Sequence, residues 1–469
     1  MDNTGNADVL SDVPKELLQR IAAHGQEHVL SFWDDLDEQE KLTFSQQLEL
    51  IDFDQFAMLQ KQFSQKPEDT KPIELKPSPF VSISDCTENE SLKKTGEELI
   101  RNGQLAVLTV AGGQGTRLGW SGPKGTFPAT SITGKSLFQL IAEQIVFASK
   151  KYGVSIPWYI MTSNENDAAT RSFLLDNNCF GLERTEIFMF TQGEVPAIDA
   201  DGKMLLASKN QISMNPDGHG GVIAALKLCG GLEEMEARGI AYLSYVQVDN
   251  PLAKVIDPVF LALHADAQQS SVEITSKCVI KTNPDERVGV FCEVDGKTTI
   301  VEYSDMSQEY KNLEETDGNL AYRAGSIAIH MLSTEFLQRI ADDLPWHVAT
   351  KKVEHISTET GNTVQPSEPN ACKFERFVFD VLMFASKPLI VETLREEEFA
   401  PIKNAKGADS PTTSHQLQQQ RAANWLKARG VQVPESAVIE ISPLSGSTPE
   451  DLETKLLPES IEDEEIVSL

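Results

Sequence analysis

The sequence predicts an α/β fold: a doubly wound, largely parallel sheet, preceded by a helical N-terminal region and followed by a small C-terminal domain. Three observations carry that expectation. Between residues 105 and 248, short apolar runs alternate with helical patterns. From Val13 to about Phe63 the apolar residues recur at helical spacing. From about Lys406 the composition shifts to Gly407, Pro411 and a Ser/Thr cluster ahead of a Gln-rich helix and a short acidic tail. A chain of 469 residues has room for two or three domains and at least one large core.

Each element has a local reason. Leu17, Ile21, Leu30, Trp33, Phe44 and Leu48, separated by Gln, Glu and Asp, set the N-terminal helices. Pro67, Pro72, Pro77 and Pro79 make residues 64–89 an extended linker. SLKKTGEELIRNG reads as a helix stopped by Gly103. Leu105 to Val110 is a short apolar strand, and Ser136 with Gln139 opens a helix to Lys151 in a capping-box pattern. Further strands are expected at Pro157 to Thr162, Ile187 to Phe190 and Tyr242 to Val248, with helices from about Glu165 to Asp176 and from Val222 to Arg238. Strands separated by helices imply right-handed crossovers, and such sheets hold ligands at the carboxyl ends of their strands. The expected domains are 1–95, 96–405 and 406–469.

Composition narrows the function. With 40% hydrophobic and 24% charged residues the chain is globular. Acidic residues number 71 against 41 basic, and a net charge of −30 disfavours nucleic acid and anionic lipid as partners. A phosphate ligand would need this field reversed locally by clustered Lys and Arg, by helix N-termini or by a metal. Six cysteines without a CxxC pair suggest neither a zinc site nor a disulfide framework and fit a reducing compartment. The N-terminus lacks a basic start and an apolar run, and no stretch of about 18 apolar residues occurs, so a cytoplasmic protein without a membrane partner is expected.

One loop stands out: VAGGQGTRLG, Val110 to Gly119, followed by Pro123-Lys124-Gly125. A dinucleotide fingerprint would read GxGxxG with an acidic residue about 20 positions on. Here the glycines fall as GxGxxxG and Lys135 occupies that distance, so the fingerprint fails; no P-loop is present either. What remains is physical: glycines let backbone amides approach an anion, and Arg117 and Lys124 supply charge to phosphate oxygens. MNPDGHGG, Met214 to Gly221, opens a helix, and YVQVDN places Asp249 and Asn250 at the end of an apolar strand, where a carboxylate suits Mg²⁺. Separately these are a turn, an N-cap and a loop cap. Together they put two glycine turns, two cations and a carboxylate along one sheet edge.

LTVAGGQGTRLG followed by PKG, TQGEVPA, MNPDGHGG, VQVDN, KTNPDERVGV, VEYSDMS, AGSIAIH, FERFVFD, LREEEFAPIKNA and EISPL resemble, in order and spacing, the UDP-N-acetylglucosamine pyrophosphorylases within the wider UDP-sugar pyrophosphorylase family. The similarity covers almost the whole chain. It implies a Rossmann-like nucleotidyltransferase domain with a mixed, mostly parallel sheet, and a uridylyltransferase that uses UTP, a sugar 1-phosphate and Mg²⁺, with Mn²⁺ as an alternative. By this resemblance Arg117, Lys124 and Lys403 are catalytic and hold phosphates. Gly112, Gly113, Gln192, Gly218 and His219 bind the nucleotide. Asp249 binds the metal and, with Asn250, Gly289, Glu302, Ser326, Phe377 and Phe379, lies on the sugar side. Two departures bear on the sugar: Ser326 and Ile329 stand where N-acetylhexosamine enzymes carry Asn, and His219 is familiar from UDP-glucose enzymes.

The expected reaction makes UDP-N-acetylglucosamine, with UDP-glucose or UDP-galactose synthesis as the alternative, in a monomer or weak homo-oligomer. A non-catalytic UDP-sugar sensor is the rival of another class; it could dispense with Arg117, Lys124, Asp249 and Lys403, all of which are intact. An NAD-dependent oxidoreductase is a third reading, weakened by the missing acidic residue.

Overall fold

A computed structural model describes residues 13–64, 74–83, 90–454 and 457–469. Part of the expected linker at 64–89 lies outside the described residues, and its described part contains a short strand, Leu75–Pro77. The chain forms two compact units, each assembled from separated stretches. One takes the described residues before 72 together with 193–221 and 344–378; the other takes those from 73 to 192, 222 to 343 and 379 to 469. This division replaces the simple succession of three domains with an interleaved one. The N-terminal helices cannot close a core alone, and Val195, Ile198, Met204, Ile212, Trp346 and Phe374 from the two later stretches complete it.

In the smaller unit the helices Lys15–Ala23, Glu38–Leu50 and Phe53–Ser64 carry the predicted apolar faces, with Trp33, Phe44 and Phe56 buried. Asp37 and Glu40 form a reciprocal capping box that starts the second helix.

The larger unit is built on a ten-stranded mixed sheet. Tyr242–Gln247, Leu105–Val110, Trp158–Thr162 and Ile187–Thr191 lie side by side in that order and run parallel. Beyond Tyr242–Gln247 the sheet continues antiparallel through Ala324–Ser333 to Val290–Val294 and Leu75–Pro77. Ile274–Ile280 joins Ala324–Ser333 to Leu389–Glu392, and Lys297–Val301 pairs with Val290–Val294. Asp295 and Gly296, at φ 50 and 77, form a two-residue turn that joins Val290–Val294 to Lys297–Val301 as an antiparallel hairpin. Leu105–Val110 is buried along nearly its whole length, as expected for a strand covered on both faces.

Two helix expectations need correction. Ser136 caps Leu137–Tyr152 by accepting from Gln139 N at 3.1 Å, but the Gln139 side chain donates to Glu143 instead of closing a capping box. The helix expected from Val222 to Arg238 is two helices, Val222–Leu228 and Gly231–Ala237, because Gly230 takes φ 75 and breaks the ladder. Residues 406–469 form a small core around Trp425, Leu426, Ile439 and Leu452 within the larger unit. Glu440 fastens it to the turn ahead of the helix Leu137–Tyr152 by accepting from the backbone N–H of Ile132 and Thr133. Among the described residues no helix is long and apolar enough to cross a membrane. The described cysteines are free thiols.

Candidate active site

Four parallel strands deliver four loops to one edge. Strand ends at Val110, Thr162, Thr191 and Gln247 are in register, so Gly112, Ser163, Gln192 and Asp249 follow in neighbouring loops. The loop backbones continue the sheet: Ala111 N donates to Met161 O at 2.8 Å, Gln192 N to Thr162 O at 2.8 Å and Val248 N to Val110 O at 3.2 Å.

The glycine loop is folded back on itself. Gly115 N donates to Gly122 O and Lys124 N to Gly113 O, both at 3.0 Å, so residues 113–124 form a closed excursion that returns Lys124 to the strand edge. Gly112 sits in a tight place. A Cβ there would lie 2.9 Å from Gln192 Oε1 and 3.3 Å from Ser163 N, whereas at Gly113 it would meet nothing and the backbone is open to a ligand. Asn166 Nδ2 holds Gly112 O at 2.7 Å. Ser163 Oγ and Asn166 Oδ1 are buried and have no partner among the described residues, which leaves polar atoms behind the loop. Arg117 lies exposed on the short 3₁₀ turn Thr116–Leu118.

Lys124 and Asp249 meet across this edge. Lys124 Nζ sits 2.9 Å from Asp249 Oδ2, with side chains 12% and 14% exposed. Burial acts to raise the Asp249 carboxyl, but Lys124 and Lys403 outweigh it and hold the group below the usual carboxylate range. Lys403 is brought there by its own segment: Ile402 N donates to Asp249 O at 2.8 Å, and Lys403 N donates to Asp409 O at 2.7 Å. Asn250 is buried, and its carboxamide is committed to the backbone of Leu252, Glu398 and Ala400.

On the antiparallel side, Gly289 faces Glu302: a Cβ at 289 would lie 3.2 Å from Glu302 Oε1. The Glu302 carboxyl is pushed up by burial and by Asp305, with Lys403 opposing. Ser326 N donates to Gly289 O at 2.8 Å, and Ser326 lies where the pairing of its strand with Ile274–Ile280 shifts register. The structure thus gathers Gly112, Gly113, Lys124, Gln192, Asp249 and Lys403 around one strand edge, and Gly289, Glu302 and Ser326 around a second focus of the same unit. Phe379 belongs to this unit as well, on the 3₁₀ segment Val378–Phe384.

Gly218, His219 and Phe377 lie in the smaller unit. Gly218 takes φ 84, and a Cβ on it would lie 2.4 Å from Arg376 O. His219 Nδ1 accepts from Val378 N at 3.1 Å, and its ring lies 5.4 Å from that of Phe377. Beside them the buried Asp217 carboxyl is pushed up to about 7 by burial, with Arg376 opposing. The Arg376 guanidinium in turn stacks 3.9 Å above the Trp346 ring. Ser163, Asn166, Asp217 and Arg376 were missed from the sequence. Ser163 follows directly on a predicted strand, and Asp217 and Arg376 stand inside the quoted blocks MNPDGHGG and FERFVFD, so strand-end position and motif membership were the available signals.

The family model described as UTP–glucose-1-phosphate uridylyltransferase matches residues 53–439. The human UDP-N-acetylhexosamine pyrophosphorylase-like protein 1 is 36% identical over 483 residues, covering 94% of this chain and 94% of its own. The Saccharomyces cerevisiae UDP-N-acetylglucosamine pyrophosphorylase is 37% identical over 388 residues, covering 79% of this chain and 80% of its own. The Trypanosoma brucei uridine diphosphate N-acetylglucosamine pyrophosphorylase, solved in complex with an inhibitor, superposes with a TM-score of 0.78 at 26% identity, covering 95% and 96% of the two chains. Matched by the family model over residues 53–439 and 36% identical to a relative over 94% of its length, the chain belongs to the UTP–glucose-1-phosphate uridylyltransferase family of nucleotidyltransferases.

Proposed function

We propose that this enzyme joins UTP to N-acetylglucosamine 1-phosphate, giving UDP-N-acetylglucosamine and pyrophosphate. The observation that carries the reading is the Lys124–Asp249 pair at the carboxyl edge of the parallel strands, with Lys403 on the adjoining segment. The names of the relatives support the N-acetylated sugar. In the reaction an oxygen of the sugar phosphate forms a bond to the α-phosphorus of UTP; the bond from that phosphorus to the bridging oxygen breaks, and pyrophosphate leaves with the electron pair. Positioning and charge stabilisation do most of the work in such transfers.

Gly112 and Gly113 offer backbone against the nucleotide, Lys124 and Arg117 neutralise its phosphates, and Lys403 holds the sugar phosphate. Gln192 reads uracil, and Gly289, Glu302 and Ser326 contact sugar hydroxyls. The sequence resemblance alone assigns Gly218 and His219 to the nucleotide and Phe377 and Phe379 to the N-acetyl group. Asp249 fits a resident Mg²⁺, or Mn²⁺, because one ionised carboxylate plus phosphate oxygens and water is an ordinary ligand set for it. The metal would neutralise charge on the phosphates. The location we assign is the cytoplasm, on composition, and the assembly a monomer or weak homo-oligomer.

The second reading, glucose 1-phosphate as substrate, is favoured by Ser326 and His219 and by the family description. Pyrophosphate release with UTP and a panel of sugar 1-phosphates separates the two. The highest kcat/KM is expected with N-acetylglucosamine 1-phosphate; turnover of glucose 1-phosphate without the N-acetylated sugar overturns the substrate assignment. Chelation of divalent cations is expected to stop release and added Mg²⁺ to restore it.

A further inference from the structure

Asn250 follows Asp249 directly, and its side chain is spent on the protein. Nδ2 donates to Glu398 O at 2.7 Å, and Oδ1 accepts from Ala400 N at 3.0 Å and Leu252 N at 3.3 Å. Two residues further on, Ile402 N donates to Asp249 O at 2.8 Å. Residues 398–402 are therefore stitched along the Asp249–Asn250 turn by alternate positions, and Lys403 comes next. The far end of this segment is anchored in turn. Glu398 Oε1 and Oε2 accept from Lys277 Nζ at 2.6 and 2.7 Å, and Oε1 accepts from Thr393 Oγ1 at 2.7 Å. Lys277 also donates to Asp257 Oδ2 at 2.7 Å and stands 4.9 Å over the Phe260 ring. The side chains of Lys277 and Glu398 are 3% and 2% exposed.

A buried ion pair gains little net stability over apolar packing of the same shape, but it fixes geometry because each group tolerates few arrangements. We infer that Asn250, held by the Lys277–Glu398 pair, is a positioning residue that sets the separation between Asp249 and Lys403. The clip rests on the proposed reaction, in which Asp249 serves the metal and Lys403 the sugar phosphate. Its loosening lets those two groups drift apart while the glycine loop and Gln192, held by other strands, stay in place. A cavity of about 450 Å³, lined in part by Lys277, Asp257 and Glu398, opens on the same cluster and is lined by none of the strand-edge residues.

The test uses full-length Asn250→Ala, Glu398→Gln and Thr393→Val, which remove three hydrogen bonds, one charge and one hydrogen bond. KM for the sugar 1-phosphate and the half-saturating Mg²⁺ concentration are expected to rise about tenfold or more in the first two variants. In Thr393→Val, which keeps the ion pair, they rise about threefold. KM for UTP stays within about twofold. A merely structural role lowers the fraction of active enzyme, which reduces kcat and leaves all three constants unchanged; that result overturns the clip, and Thr393→Val supplies the readout where a harsher variant does not fold. If wild-type enzyme releases no pyrophosphate with any sugar 1-phosphate, the underlying reaction has failed instead.

Discussion

Two of the lysine–carboxylate contacts in the larger unit are built for opposite ends. Lys124 meets a single carboxylate, Asp249, at the edge of the sheet, beside the open backbone of Gly113. Lys277 meets two, Asp257 and Glu398, in the interior, and its ammonium spends its donors on them. Lys124 keeps donors to spare, and Asp249 remains ionised, so the edge pair can be opened and its members reassigned to phosphate and metal. Saturation leaves the Lys277 ammonium nothing to exchange, although Asp257, 18% exposed, is no more buried than Asp249. The charges are alike; the number of partners divides chemistry from architecture.

The largest effect expected of breaking the comparison is on the interior side. Lys277→Ala leaves Asp257 and Glu398 without their cation, and chemical denaturation should register a loss of about 3–5 kcal/mol. An unchanged unfolding midpoint would place the cluster outside the stability of the fold. Next comes the edge: Lys124→Ala should lower kcat/KM by about 100- to 1,000-fold, as removal of a group that stabilises developing phosphate charge does, with a smaller loss of unfolding free energy than Lys277→Ala causes, because Lys403 remains beside Asp249. Equal losses in turnover and stability would erase the distinction.

Asp217 sharpens the contrast from the other direction, since it is a buried carboxylate whose cation does not offset its burial. Its folded value, about 7, lies above its ordinary 3.8, so its contribution to stability is full at the acid end and is lost as pH rises through 7. Relative to Asp217→Asn, the wild type should lose on the order of 2–4 kcal/mol between pH 4 and pH 8. Parallel stability curves for the two proteins would contradict the raised value. The smallest expected effect concerns the sugar: Ser326→Asn should raise the preference for N-acetylglucosamine 1-phosphate over glucose 1-phosphate by about tenfold, from competing-substrate kcat/KM ratios.

The edge was legible because its signals are local. Apolar runs such as Leu105–Val110 declare strands, Asp249 declares a strand end, and glycines beside Arg117 and Lys124 declare a loop that must accept charge. Sequence patterns do not show which strands pair, so the antiparallel order beyond Tyr242–Gln247 and the interleaving of the two units had no local signal, and a mixed sheet was expected from the family resemblance alone. The break at Gly230 was hidden because a glycine inside an apolar periodic stretch reads as tolerated. Asn250 illustrates the limit for the site. Beside Asp249 it looks like a ligand-binding group, and only the fold reveals that Glu398 and Ala400, about 150 residues away, take up its hydrogen bonds. Glu398 stands inside the quoted block LREEEFAPIKNA, but its pairing with Lys277 gave no signal, since a buried ion pair is made by partners distant in sequence.

The most direct test of the edge as the phosphate site is a crystal structure of the protein with UTP and Mg²⁺. The account predicts the triphosphate against the backbone of Gly112 and Gly113, with Lys124 Nζ on a phosphate oxygen and Asp249 released to the metal. A nucleotide bound elsewhere, with the Lys124–Asp249 pair intact, would contradict it.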